Sequence, residues 1–108
     1  MSGIGVLINY NGHWNENNEY TNYEEGGIII PENCNYGSLL SILYDFLKAS
    51  IMNADLKIEC QAKSKRKPIV IKDDMGVHFF LSLKKNEEDM MAYLLYVSIK
   101  IQDSTLHC

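Results

Sequence analysis

The sequence predicts an α+β fold built on a mixed sheet, and three patterns predict it. Near the start, Ile4, Val6, Ile8 and Tyr10 alternate with Gly5, Leu7 and Asn9. Near the end, Tyr93, Leu95, Val97, Ile99 and Ile101 alternate with Ala92, Leu94, Tyr96, Ser98 and Lys100. Between them, Leu39, Leu40, Leu43, Phe46 and Leu47 recur at the three- and four-residue spacing of one helix face. Strand side chains alternate between the faces of a sheet, whereas helical ones return every 3.6 residues. Two strands therefore bracket an amphipathic helix.

The remaining elements follow in order. The first strand is apolar on both faces, which predicts a central place in the sheet. Asn11-Gly12 is a turn dipeptide. The segment from His13 to Glu25 is polar, with Trp14, Tyr20 and Tyr23 interleaved; a second strand is expected over Glu19–Tyr23, paired as a hairpin with the first and broken by Gly26-Gly27. Ile28-Ile29-Ile30-Pro31 reads as a short extended piece, because a proline pushes the residue before it out of the helical region. Asn35 suits an N-cap, and the helix from Tyr36 is expected to run to about Ala49 or Ser50. Leu56, Ile58, Cys60 and Ala62 alternate with Lys57, Glu59, Gln61 and Lys63, the pattern of a half-buried strand. A short strand Ile69–Ile71 comes next. Asp73 or Asp74 caps a second helix that buries Val77, Phe80 and Leu81. Lys84 to Asp89 reads as a solvated connection. The order is strand, strand, helix, strand, strand, helix, strand. With the first and last strands side by side and the main helix across one face, that is a β-grasp (ubiquitin-like) arrangement. Residues 4–102 form one domain in this reading and 103–108 a loose tail.

Composition narrows the chemistry. The chain has 108 residues, 46% hydrophobic and 10% aromatic, which suits one globular domain and not a disordered segment. Its formal net charge of -4 gives no general attraction to nucleic acid or membrane. Cys34, Cys60 and Cys108 lie far apart with no CxxC pair, and His13, His78 and His107 have no ligand spacing to them. Zinc needs about four clustered ligands, so reduced thiols and no metal are expected, with Cys60 buried and Cys34 and Cys108 open to oxidation. Met1–Tyr10 is too short for a secretory leader, and no stretch approaches the ~20 apolar residues of a membrane helix. An intracellular protein is expected. No acid, base or nucleophile constellation emerges and no phosphate-cradling glycine loop is present. The expectation is a non-enzymatic chain with no cofactor and no small-molecule substrate.

Against this acidic background stands Lys63-Ser64-Lys65-Arg66-Lys67-Pro68, which holds four of the ten Lys and Arg residues. Such a run serves as a solvated loop, a contact for an acidic protein surface, a weak contact for nucleic-acid phosphates, or a nuclear-import signal.

Several pieces, in their order, resemble a known group. They are Val6-Leu7-Ile8-Asn9-Tyr10-Asn11-Gly12-His13-Trp14, then Gly27-Ile28-Ile29-Ile30-Pro31-Glu32-Asn33, Tyr36 to Leu47, and Ile71-Lys72-Asp73-Asp74-Met75-Gly76-Val77-His78-Phe79-Phe80-Leu81. The chain resembles the ubiquitin-like, Phox/Bem-type domain at the N-terminus of plant Mutator-like transposases and their domesticated relatives. The resemblance implies a protein-interaction module, a nuclear location, and no share in the transposase's catalytic carboxylates or zinc segments, which lie outside such a domain. It also implies front-to-back pairing between a lysine on the first strand and an acidic loop-and-helix cluster. Here Ile4–Tyr10 holds no lysine, and the loop expected to be acidic is Lys63–Lys67. Asp73 and Asp74 remain, and helix capping accounts for them.

The candidate sites follow. Lys63, Lys65, Arg66 and Lys67 form a basic loop; Glu16, Glu19, Glu24 and Glu25 form its acidic complement on the hairpin. With the signs of the family pattern inverted, the acids of one copy are expected to meet the basic loop of another. Leu94 and Tyr96, on the outward face of the last strand, make an apolar patch if that face is bare. Trp14 is expected to pack over the hairpin, with Tyr20 and Tyr23 either packing likewise or standing open as an interface. Partner expectations are therefore a protein or a second copy, nucleic acid only weakly, and no membrane.

Overall fold

Alternating apolar strands at the two ends of the chain must find a shared core, and they find it beside each other. The computed structural model describes residues 3–47, 54–61, 67–89 and 92–101. Along the chain lie β1 (Gly3–Tyr10), β2 (His13–Trp14), β3 (Tyr20–Thr21), β4 (Glu24–Pro31), α1 (Tyr36–Leu47), β5 (Ala54–Cys60), β6 (Ile69–Ile71), α2 (Asp74–Lys85) and β7 (Leu95–Ile101). The fold is α+β, with a five-stranded mixed sheet in the order β4-β1-β7-β5-β6. β1 and β7 pair in parallel at its centre, Ile8 opposite Leu95 and Tyr10 opposite Val97. The other ladders are antiparallel.

Both helices supply the core on one face. Val6, Ile8, Ile30, Ile58, Cys60, Ile71, Leu95 and Val97 from the sheet meet Leu39 and Leu43 of α1 and Val77, Phe80 and Leu81 of α2, all buried. This is the expected helix stripe, and burying each such side chain contributes roughly 1.5–3 kcal/mol. Asn35 caps α1 through Oδ1, which accepts from Ser38 N at 2.8 Å. Asp73 caps α2, accepting from Gly76 N at 2.9 Å. Asp74 does a different job: its Oδ1 accepts from Tyr36 N at 2.8 Å, so it satisfies an open amide of the other helix.

The strand expected over Glu19–Tyr23 is a correction. The antiparallel partner of β1 is β4, an eight-residue strand that runs through Gly26-Gly27 without a break. Its register sets Ile8 opposite Gly26 and Tyr10 opposite Glu24. Gly26 fits there because the ring of Phe46 lies over it; a Cβ would run into Phe46 Cζ. The polar segment before it folds back on itself instead, as the small β2–β3 ladder with Trp14 opposite Tyr20. Asparagines make that fold-back possible. Asn11, Asn18 and Asn22 have φ of 62°, 59° and 56°, a left-handed region that asparagine tolerates better than most residues.

Cys34 is also corrected: it is buried rather than open, and its thiol donates to Asn35 O at 3.2 Å. Lys84 is another departure. The connection from Lys84 to Asp89 was expected to be solvated, yet Lys84 is buried and its Nζ donates to Ala92 O at 2.8 Å. Burial pulls its pKa down, against the opposing pull of Asp89 and Glu87. That bond ties the end of α2 to the entry of β7.

Candidate functional site

The sheet face away from the helices carries the chemistry, and the register dictates which residues share it. Tyr96 lies opposite Asn9 on one side and Glu59 on the other. Glu25 continues that row beyond Asn9, and Val70 beyond Glu59. Polar and aromatic side chains thus run from edge strand β4 to β5, and Val70 ends the row on edge strand β6.

The β2–β3 flap closes over the middle of this row. Trp14 packs against Tyr96 with ring centroids 4.6 Å apart, and Tyr20 stacks edge-on to both at 5.2 and 5.1 Å. Tyr23 lies 5.8 Å from Tyr20. Three polar bonds fix the flap. Trp14 Nε1 donates to Glu59 Oε1 at 3.0 Å. The Tyr20 hydroxyl accepts from Gly12 N at 2.9 Å and donates to Val97 O at 3.3 Å. Gly12 has no room for a side chain: a Cβ would lie 2.5 Å from Thr21 O and 2.8 Å from Tyr20.

Beside the aromatic rings lies an open pocket of about 210 Å³, lined by Asn9, Asn18, Glu19, Tyr20, Tyr23, Gln61, Leu94 and Tyr96. Gln61 Nε2 donates to Asn18 O at 2.7 Å, and Asn15 Nδ2 donates to Glu19 Oε1 at 3.3 Å. Asn9 is only 5% exposed. The Tyr96 hydroxyl has its pKa raised, first by burial and then by Tyr23 and Cys60. Among the described residues, no Lys or Arg lines the pocket.

The apolar sheet patch expected at Leu94 and Tyr96 is therefore not bare. Leu94 is buried and Tyr96 is half-buried under the flap. Trp14 packs as expected, and Tyr20 packs with it. Tyr23 remains exposed.

Of the acidic set, Glu16, Glu24 and Glu25 are exposed and Glu19 is half-buried at the pocket. They do not form one cluster on a hairpin. Glu24 and Glu25 open β4 at the sheet's edge, where Glu24 accepts from Asn11 Nδ2 at 3.2 Å. Of the basic set, Lys67 is exposed just before β6, while Lys63, Lys65 and Arg66 lie outside the described residues, as does the 103–108 tail. Glu24 and Glu25 on β4, and Lys67 beside β6, stand at opposite edges of the one sheet.

Each edge also exposes apolar side chains that sequence reading did not single out. On β4, Ile29 is 67% exposed, and a shallow apolar pocket of about 270 Å³ is lined by Gly5, Leu7, Gly27 and Ile29. On β6, Ile69 and Val70 are both exposed. The Trp14–Glu59 bond and the seclusion of Asn9 were missed as well. The one signal for them was the pairing register, which needs the correct partner for β1.

Scans against protein-family models, curated proteins and solved structures gave no match. The site has to be read from its own geometry. Among the described residues no group of His, Cys, Asp or Glu is arranged to hold a metal, and no helix is long and apolar enough to cross a membrane. The thiols of Cys34 and Cys60 are both pushed up by burial, Cys60 from 9.0 to about 11 with Glu59 adding to the rise. Neither holds the thiolate that a nucleophile requires near neutral pH.

Proposed function

We propose that this chain is a non-enzymatic interaction module of β-grasp type that associates with further copies of itself through the edges of its sheet. The observation that carries the reading is the opposition of charge across one sheet. Edge strand β4 begins with exposed Glu24 and Glu25, and the opposite edge strand β6 is flanked by exposed Lys67 and Lys72.

An edge strand offers unpaired amides and carbonyls to any extended segment. β4 does so over eight residues, with Ile29 projecting from it. β6 does so over three, with Ile69 and Val70 exposed. Pairing β4 of one copy with β6 of the next extends both sheets and sets acid beside base. The short length of β6 and the prolines Pro31 and Pro68 at the ends of the two strands keep such pairing weak. Because the two surfaces differ, the contact is heterologous and leads to open chains of copies rather than a closed dimer. The sign-inverted arrangement relative to Phox/Bem-type pairing supports the same reading, as does the resemblance to the interaction domain of Mutator-like transposases.

The test is sedimentation velocity on the full chain across concentration and salt. Self-association is expected to rise with concentration and to weaken from low to physiological salt, because rim charges steer and orient more than they bind. Glu24→Lys with Glu25→Lys should abolish it, and adding Lys67→Glu with Lys72→Glu should restore it. A monomer at high concentration and low salt sinks the proposal.

A further inference from the structure

Strand directions decide how two copies of this sheet can join. β4 runs opposite to β1, and β7 runs with β1. β5 runs opposite to β7, and β6 opposite to β5. β6 therefore runs against β4. A second copy placed beside β4, with its helices on the same side of the sheet, presents its β6 antiparallel to β4. Among the described residues these two strands are the ends of the sheet.

Pleating then limits the register. Val6 and Ile8 face the helices, so Leu7 and its partner Gly27 lie on the other face, as does Glu25 opposite Asn9. On β6, Ile71 belongs to the core, and Val70, opposite Glu59, faces away from the helices. A slip of one residue would exchange the faces. Val70 of the incoming copy is left with three places along β4: opposite Glu25, Gly27 or Ile29.

Charge and shape choose among them. Opposite Glu25, Val70 sets an apolar side chain against a carboxylate and carries Lys72 past the start of β4. Opposite Ile29, it brings Pro68 against Pro31 and Lys67 against Glu32, which already pairs with Lys85 at 3.4 Å. Opposite Gly27, it sets Lys72 against Glu25, and both of these are exposed. The same register lays Ile69 beside Ile28 on the helix side. It also gives Val70 an open place, because Gly27 is exposed and borders the apolar groove of about 270 Å³ walled by Leu7 and Ile29. Neighbouring acids do not compete: Glu24 accepts from Asn11 Nδ2, and Asp73 is turned into the cap of α2.

We propose that the groove between Leu7 and Ile29 receives Val70 of a second copy, in an antiparallel β4–β6 contact that sets Val70 opposite Gly27 and Lys72 opposite Glu25. The inference rests on edge pairing as the mode of self-association. It adds the direction of that pairing, its register and the charge pair that sets it.

Cysteine crosslinking reads the register directly. Two variants of the full chain, both with Cys108→Ser, are mixed and oxidised at low salt. One carries Val70→Cys; the other carries Glu25→Cys, Gly27→Cys or Ile29→Cys. Residues directly opposite in an antiparallel pair have Cα atoms about 4.5–5.5 Å apart, within disulfide reach, whereas diagonal neighbours stand farther off. A Cβ at Gly27 lies 3.8 Å from Val6 O and 3.9 Å from Leu7 Cδ2, ordinary contact, so a cysteine fits the single copy. The 27–70 disulfide should form about fivefold faster than either of the others. Independently, Glu25→Lys and Lys72→Glu should each weaken association about fivefold at low salt and together restore it, while Glu24→Lys and Lys67→Glu leave it within about twofold. Faster 25–70 or 29–70 crosslinking, or equal rates at all three positions, in variants that still sediment as oligomers overturns this register and leaves edge pairing standing. So does equal weakening by all four charge reversals. A parent chain that stays monomeric at high concentration and low salt removes edge pairing itself, and this contact with it.

Discussion

Trp14 and Glu59 meet 45 residues apart in sequence, with the indole Nε1 donating to the carboxylate at 3.0 Å. Glu59 is 5% exposed, and its other oxygen lies 3.9 Å from Lys57 Nζ, whose side chain is partly in solvent. The bond fastens the flap to β5 and so holds one side of the aromatic face shut. Trp14→Phe keeps most of the ring contact and removes the donor, leaving a buried carboxylate short of a partner. The expected loss of stability is about 1–3 kcal/mol. Glu59→Leu in the Trp14→Phe background should recover much of that loss, because removing both partners avoids the unsatisfied group. Urea unfolding of the four proteins in the cycle measures the coupling, and additive effects would mean that the bond contributes nothing of its own.

Asp73 caps α2, while Asp74 adds to the Asn35 cap of α1. Asp73 accepts from its own helix at Gly76 N, and Asp74 reaches Tyr36 N at the start of α1. Replacing either by alanine should cost about 1 kcal/mol, the usual magnitude for a lost cap. The double variant should lose the sum within a few tenths, since the two caps share no partner. Sedimentation of the same variants should match the parent, because neither aspartate lies on a sheet edge. A loss of association with stability intact would instead assign them an interface role.

These two sites mark how far the sequence could be read. Asn35, Asp73 and the Leu39–Leu43 stripe were legible because capping and helical periodicity are local. The pairing of β1 with β7 was legible from two apolar strands at the chain ends. The partner of β1 was not. Glycine weakens a strand signal, so Gly26-Gly27 read as a break, while tertiary contact with Phe46 makes a glycine the residue that fits. That misassignment hid the site. With β4 misassigned, nothing in the sequence indicated that residues 13–21 fold back over Tyr96, that Asn9 is secluded, or that Glu24 and Glu25 stand on an edge.

Gly26 offers a direct check on that account. A methyl group there would enter the space of the Phe46 ring, which also meets Tyr10 edge-on with centroids 5.6 Å apart. Gly26→Ala should therefore destabilise by roughly 1–3 kcal/mol, the range for overpacking a fitted site, despite the better strand propensity of alanine. In a Phe46→Leu background, which removes the ring, the same substitution should cost much less or turn neutral. Thermal unfolding of the four proteins decides it. An equal penalty in both backgrounds would trace the cost to the backbone rather than to the ring.

The buried thiol of Cys60 makes a prediction about alkaline stability, and its sign is fixed by the direction of its shift. Burial first, and Glu59 second, raise its pKa from 9.0 to about 11. Below about pH 9 the thiol is protonated in both folded and unfolded chains and gives no pH dependence. Between 9 and 11 the unfolded chain sheds this proton while the folded one keeps it, so stability falls as pH rises and the contribution is gone beyond the folded value. A shift of this size corresponds to about 3 kcal/mol at most. Tyr96, also shifted upward, pulls the same way, whereas Lys84, shifted downward, pulls against them because its folded form gives up a proton that the unfolded chain retains. The comparison that isolates the thiol is Cys60→Val against the parent. Their difference in unfolding free energy should be constant up to about pH 9 and then move progressively in favour of the valine variant. Parallel curves from pH 7 to 11 would mean that Cys60 ionises as readily in the folded chain as in the unfolded one.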